Sequence, residues 1–561
     1  MNDGSFWNRA LYKKSIKQLH DESAERESDG SSLHKSLNLL DLTCFGIAAV
    51  VGAGIFSTLG KAAADGGPAV AVLFLLTAVA CLFSALCYSE FASRIPVSGS
   101  AYTYSYVVFG ELVAWLIGWN LLMEYAIGNS VVAFSWSDYF SNLLNGIGMP
   151  LPDWLQTDYY SCSLAATQES GLDTNETKLT EIWNNAPVMG GLRIIFDLPA
   201  LALNLVITTL VYIGIHESKL VSNAMVFLKL SVVIGVIVIG SFYVTPANWV
   251  PFAPNGASGV LKGIAAVFFT YIGFDAISTT AEECKNPKRD LPRATMLTLA
   301  ICTVLYIVLA FVLTGMVNYE ELRVDDPLAI VFSKHNLNWL SGIISLSAVV
   351  AMASVFLVFQ LGQPRIFLSM SRDGLLPKRF SKIHPRFKTP SFATVVTGVA
   401  VALPTLFLNS QLVTDLSALG TLFAFVLVSG GILALNATDR EHGSETPGFR
   451  VPYFNGQYIV IGLFAVYTYF MRSMPDSHDL TQNWSWEKFP YLVFYAVFAV
   501  LAVLTWRKSW SVIPVLGVVT NLYLIAGIGH WNWLRFAVWC LVGLAIYFVF
   551  GFRRKTVGIE Q

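Results

Sequence analysis

Charge is scarce in this 561-residue chain. Asp, Glu, Lys and Arg together make up 13% of it, against about 25% in an ordinary soluble domain. That shortage excludes a disordered chain and almost any soluble multidomain enzyme. Neither sign is in excess: 36 Lys and Arg face 37 Asp and Glu, a net charge of −1. No basic face for nucleic acid is implied, and no strongly acidic or basic partner. Cysteine is sparse and unpatterned. The seven, at 44, 81, 87, 162, 284, 302 and 540, form no C-x-x-C pair and no zinc spacing. Only Cys162 falls in a long polar stretch, where it has no cysteine to pair with. His216, His335, His384 and His442 are scattered and build no catalytic motif. No enzyme, metal or cofactor is therefore expected. The first 36 residues are polar, so no cleavable signal peptide is expected. Tails of about 36 and nine residues leave no room for a folded signalling domain.

What the chain has instead is apolar length. Hydrophobic residues make up 55%, and the mean hydropathy is +0.57. A helix crossing the hydrocarbon core needs roughly 20 apolar residues. Fourteen runs approach that length, near 37–61, 68–93, 110–143, 194–215, 220–243, 258–281, 295–317, 338–370, 391–408, 412–435, 456–474, 489–506, 511–528 and 532–552. An all-α polytopic membrane protein follows, with the lipid bilayer as its solvent.

The basic residues orient it. With the N-terminus in the cytoplasm, the odd-numbered connections and their flanks hold only Lys61, Lys178, Arg193, Lys262, Arg323, Lys334, Arg472, Lys488 and Arg535. Lys229 sits inside a span, and the remaining 26 fall on the cytoplasmic side. Both termini are expected inside. The outer connection 146–193 is long and carries the Asn175-Glu176-Thr177 sequon, a glycosylation signal only in a eukaryote. Phe6–Leu19 reads as amphipathic, with Lys13, Lys14 and Lys17 opposite Phe6, Leu11 and Ile16. It is either a helix on the inner leaflet or a loosely ordered tail.

Two spans carry unusual chemistry. The first contains Gly52-Ala53-Gly54, where each glycine costs a helix about 1 kcal/mol relative to Ala. The sixth contains Gly273-Phe274-Asp275, which puts a carboxylate deep in the membrane. Close helix packing through small residues explains the first as well as a break does. Matched breaks five spans apart, however, are the mark of inverted repeats with discontinuous helices at the midplane. A break frees N–H groups on one half-helix and C=O groups on the other. The N–H end suits a carboxylate and the C=O end an ammonium, so a zwitterionic amino acid satisfies both.

The longer motifs are those of a known family. They are Gly52-Ala53-Gly54-Ile55-Phe56, the stretch Tyr88–Tyr104, Gly118–Tyr125, Tyr271–Asp275 continuing to Glu282-Glu283, and Lys285-Asn286-Pro287-Lys288. Pro364-Arg365, Met370–Pro377 and Trp533–Trp539 complete the set. On these, from about residue 37 onward, the chain resembles the amino acid–polyamine–organocation superfamily, in its cationic amino acid transporter branch with bacterial-type members. The resemblance implies a LeuT-type 5+5 inverted repeat over 37–435, after a tail at 1–36. Four additional helices would occupy 436–552 and a short tail 553–561. It also implies that amides around Gly52, Ala53 and Gly54 hold the substrate carboxylate. Carbonyls near Val50, Phe269 and Ile272 would hold the α-ammonium, and Phe269 matches an aromatic gate.

Three charges inside the membrane remain. Lys229 lies near mid-span, and desolvation there favours its neutral form, which makes it a candidate proton carrier. In proton-coupled relatives a lysine at this place approaches the broken first helix; the alternative is a structural tether. Asp275 is a second proton candidate, or a holder of a cationic side chain, or a cap on the second half-helix. Glu124 matches a recurring carboxylate that contacts a basic substrate or pairs with another buried charge. Met352, with Ala353 and Ser354, falls where the family's side-chain pocket lies, and a methionine there would favour small neutral amino acids. Glu90, Arg94, Glu282, Glu283 and Arg372 are expected to bridge at the inner gate. The expected function is proton-coupled amino acid uptake by alternating access in the cell membrane. An amino acid exchanger is the alternative. Nothing in the sequence specifies an oligomer or accessory subunit.

Overall fold

The computed structural model describes residues 10–19, 21–22, 35–97, 99–167, 174–214, 219–256, 259–260, 263–324, 326–387, 389–408, 410–442, 448–473 and 485–551. Helix α1, Leu39–Val50, opens on a reciprocal cap: Asn38 accepts from the Asp41 amide, and Asp41 accepts from the Asn38 amide. It ends at Val51, whose backbone is extended. A π-turn at Gly54–Thr58 restarts the helix into α2, Leu59–Gly66. Gly67, at φ +64°, and Pro68 turn the chain into α3, Val70–Arg94. Then come α4 (Ala101–Val108), α5 (Glu111–Gly146), α6 (Tyr159–Thr167), α7 (Thr174–Asn185) and a short hairpin of β1 (Val188–Met189) and β2 (Leu192–Arg193).

Helices α8 (Leu198–Ile213) and α9 (Lys219–Ser241) follow. Helix α10, Ile264–Phe269, stops short, and the chain passes through Gly273 in a left-handed conformation into a 3-10 helix, Phe274–Glu283. The rest is α11 (Pro287–Met316), α12 (Pro327–Lys334), α13 (Asn338–Arg372), α14 (Ser391–Phe407), α15 (Ser410–His442), α16 (Gln457–Ser473), α17 (Phe489–Lys508), α18 (Val512–Gly527) and α19 (His530–Ile546).

Among the described residues, seven helical stretches are long and apolar enough to cross a membrane: Leu59–Arg94, Asn223–Ser241, Pro287–Met316, Asn338–Arg372, Leu412–Asn436, Trp486–Lys508 and His530–Val549. The other apolar runs fold as shorter helices, or are cut by the breaks at Val51 and Gly273. Helix α5 is 36 residues long, but Asn120, Glu124 and Asn129 lower its hydropathy below that of the seven. Apolar side chains such as Leu76, Val304 and Phe227 point outward, as a lipid solvent allows.

The main core gathers α1, α3, α5, α11, α13 and α15 around the two breaks. Helix α19 clamps onto α5 through two tryptophans. Trp115 Nε1 donates to the Gly543 carbonyl at 2.8 Å and Trp119 Nε1 to that of Trp539 at 3.0 Å. A separate core of Leu433, Val460, Phe494, Phe498 and Val515 joins α15 to α16, α17 and α18. Between α5 and α8, Cys162, Ile182, Ala186 and Ile195 form a small core of their own. Asn175 lies in α7.

The described part of the amphipathic N-terminal segment is docked on the protein, although Leu11 of its apolar face is exposed. Ala10 and Leu19 are buried. The Glu111 amide donates to the Tyr12 carbonyl at 3.0 Å. Lys14 Nζ bonds Asp373 at 2.8 Å and Glu22 at 3.0 Å, and Tyr102 also donates to Asp373. Lys14 thus reaches protein carboxylates, while Lys13 and Lys17 are exposed. Phe6 lies outside the described residues.

Candidate functional site

The two breaks touch. A Cβ added at Gly54 would stand 2.6 Å from the Thr270 Cα, and one at Gly273 would stand 2.9 Å from the Ala49 Cβ. Backbone therefore meets backbone where a side chain would hold the helices apart, and Gly273 also needs its φ of +113°. Flanking contacts tie the same elements. Thr58 Oγ1 reaches the Ala266 carbonyl, and the Ser36 and Leu37 amides donate to Glu283 while Lys285 donates back to Leu37.

The first break exposes donors on one side. Gly52, Ala53 and Gly54 lie between Val51, the last residue to donate back into α1, and the restarted helix. Their three amides donate to no protein acceptor among the described residues. These are the first-turn N–H groups that a restarted helix leaves for a ligand or a cap. A Cβ on Gly52 would run into the Val355 side chain of α13.

The carbonyl end of α1 is held from two other helices. Lys229 of α9, 1% exposed, donates to Ala48 O at 3.0 Å, Val51 O at 2.9 Å and Ser354 Oγ at 3.2 Å. Tyr306 of α11, fully buried, donates to Val50 O at 3.0 Å. The sequence brought Lys229 and Val50 to notice; Tyr306 and Val355 it did not. The available signal for Tyr306 was a phenol in mid-helix, whose buried hydroxyl must find an acceptor.

At the second break, Phe269 and Ile272 are buried, and the Phe269 carbonyl accepts the Ile272 amide at 3.3 Å. Asp275, also buried, stands in the first turn of the second half-helix, near the amides of Gly273 and Ala276. Glu124 on α5 is 5% exposed. One of its oxygens meets Thr421; the other, Oε2, has no protein hydrogen-bond partner. Glu124 lies within electrostatic reach of a second buried acid, Asp275. The hydroxyls of Tyr88 and Tyr125, also without protein partners, face the same two carboxylates.

In α13, Met352 is fully buried, Ser354 turns to Lys229 and Val355 to Gly52. The charges read as a gate divide in two. Arg365 pairs with Glu283 at 2.7 Å and Arg372 lies 3.9 Å from Glu282, so both tie α13 to the end of the sixth run. Glu90 and Arg94 instead pair within α3, and Glu90 accepts the Val451 amide at 2.8 Å. They pin the chain ahead of α16.

At the level of the whole chain, the sequence matches known proteins. A family model described as amino acid permease matches residues 37–499, and one described as the C-terminus of AA_permease matches 511–555. The branched-chain amino acid permease BcaP of Bacillus subtilis (strain 168) is 36% identical, over 98% of each chain. The methylthioribose transporter of the same organism is 40% identical, over 81% of this chain and 91% of its own. Cationic amino acid transporter 4, vacuolar, of Arabidopsis thaliana is 31% identical, over 94% and 93%.

Proposed function

Because this chain belongs to the amino acid permease family, whose members named above are transporters and not enzymes, we propose that it is a proton-coupled amino acid symporter of the cell membrane. The observation that carries the reading is the opposition at the first break. Three unclaimed amides at Gly52, Ala53 and Gly54 stand beside the carbonyl end of α1. That pair of poles suits the carboxylate and α-ammonium carried on one carbon.

In this reading the fold is the LeuT-type 5+5 inverted repeat, with α1 and α10 as first halves of the broken helices. About fourteen spans cross the membrane and both termini are cytoplasmic. Amides of Gly52, Ala53 and Gly54 bind the carboxylate, while carbonyls of Val50, Phe269 and Ile272 bind the ammonium. Lys229 carries the coupling proton, and Asp275 and Glu124 form a second acidic station. Met352, which is buried and which the family resemblance puts at the side-chain pocket, would shorten that pocket against a long cationic side chain. The substrate class is thus small or aliphatic neutral amino acids, as the name of the branched-chain relative also suggests.

Uptake into proteoliposomes of labelled leucine, alanine, arginine and methylthioribose tests the substrate. Saturable leucine or alanine uptake with little arginine supports the reading. Methylthioribose alone would overturn it, since that thiosugar offers neither a carboxylate nor an ammonium to the break.

A further inference from the structure

We propose that Tyr306 is a positioning residue for the substrate ammonium, an inference that rests on the amino acid reading above. The last carbonyls of α1 are divided between two holders. Lys229 takes Ala48 and Val51; the Tyr306 hydroxyl takes Val50 at 3.0 Å. A carbonyl oxygen has two lone pairs. One bond from Tyr306 fixes the direction of the Val50 carbonyl and leaves its second lone pair for the substrate.

The ring is fixed as firmly as the hydroxyl. It packs on Phe74 of α3, centroids 5.8 Å apart, and on Tyr271, 5.4 Å away. Tyr271 belongs to the second break and donates to the Phe74 carbonyl at 3.1 Å. Thus one side chain on the unbroken helix α11 touches both breaks, by its hydroxyl the first and by its ring the second. Cys302, one turn earlier, lies beside the same hydroxyl and within electrostatic reach of Lys229. The two holders sit close together, yet they act on different carbonyls. Loss of the Tyr306 hydroxyl frees Val50 alone and leaves the Lys229 bonds in place.

The test compares wild type with Tyr306→Phe in proteoliposomes, using leucine and its α-hydroxy analogue as competing ligands. One neutral hydrogen bond corresponds to about five- to tenfold in affinity. In Tyr306→Phe the inhibition constant for leucine should rise by about that factor, and that for the hydroxy acid by less than twofold. Maximal rate and pH profile should hold, because Lys229 keeps its carbonyls. Phe74→Leu, which loosens the ring and keeps the hydroxyl, should leave the leucine-to-hydroxy-acid preference within twofold. Equal weakening of both ligands in Tyr306→Phe would overturn the proposal, as would an unchanged preference there or an equal loss in Phe74→Leu. Wild-type protein that takes up no amino acid would overturn the amino acid reading and this inference with it. Normal wild-type uptake with an unaltered Tyr306→Phe overturns the inference alone.

Discussion

Lys229 Nζ lies 2.9 Å from the Val51 carbonyl oxygen, and that oxygen sits at the point where the first helix breaks. The lysine comes from α9, a different helix, and has a second carbonyl, Ala48, and the Ser354 hydroxyl as its other partners. An ammonium in this nest stabilises the break, because the carbonyls it meets are ones that an uninterrupted helix would have satisfied. Under the proton-coupled reading the same contact would give protonation a mechanical consequence, since a neutral amine has two N–H donors for three acceptors and would hold the end of α1 less firmly. Lys229→Ala should accordingly lower stability as well as alter transport. Leaving buried carbonyls unpaired costs about 1–3 kcal/mol each. Thermal unfolding of the purified variant in detergent checks this, and a melting temperature equal to wild type would contradict it.

The crossing of the breaks makes a prediction about two glycines with different neighbours. Gly54 faces Thr270 backbone, which has little freedom to move, whereas Gly52 faces the Val355 side chain. Gly54→Ala should reduce uptake about fivefold or more, since overpacking a close contact costs about 1–3 kcal/mol. Gly52→Ala should be similarly impaired alone and partly restored by Val355→Ala. The double-mutant cycle should therefore be strongly non-additive. Additive losses would mean that the two residues do not share the space.

Much of this site could be read from the residues. Gly-x-Gly in one apolar run, Gly-Phe-Asp in another and a lone lysine in a third point to breaks and to a buried cation, because each is costly in a plain membrane helix. What the sequence could not give is which side chains meet them. Tyr306 and Val355 look like ordinary span residues, and only their placement against Val50 and Gly52 sets them apart. Glu124 and Asp275 are far apart in sequence, so their electrostatic proximity was equally hidden. Among the described residues seven of the fourteen apolar runs form helices long and apolar enough to span, and the breaks at Val51 and Gly273 cut two of the others.

The docked N-terminal segment should be lost by substitution at Lys14. Burial of Lys14 works against its charge, but the Asp373 and Glu22 carboxylates outweigh it and hold its pKa above the usual lysine value. A raised lysine pKa means stabilisation that is complete below the unfolded value of about 10.4. It is lost only as pH climbs through the higher folded value. The Lys14 contribution should therefore stay constant from pH 7 to 9. Lys14→Ala should cost on the order of 1 kcal/mol or less, a partly buried surface pair. It should also speed tryptic cleavage at Lys13 and Lys17. Cleavage at the wild-type rate would show that the segment is not held by this lysine.

Cys162 should resist alkylation. It is fully buried in the small core between α5 and α8. Burial, and then the nearby Asp158 carboxylate, push its thiol up to about 12. The thiolate is the reactive form. At pH 7.5 a maleimide should therefore label Cys162 slowly in the folded protein and rapidly after denaturation, as mass spectrometry of peptides would record. Rapid labelling in the native state would contradict the packing described for this segment.

The most direct test of the account is accumulation of labelled leucine by proteoliposomes under an inward proton gradient, for wild type and Lys229→Ala side by side. Wild type should accumulate leucine above equilibrium and lose that accumulation when the gradient is collapsed. The variant should bind leucine without accumulating it. Uptake that ignores the gradient and requires amino acid inside the vesicle would contradict the account. It would make the protein an exchanger and Lys229 a structural tether.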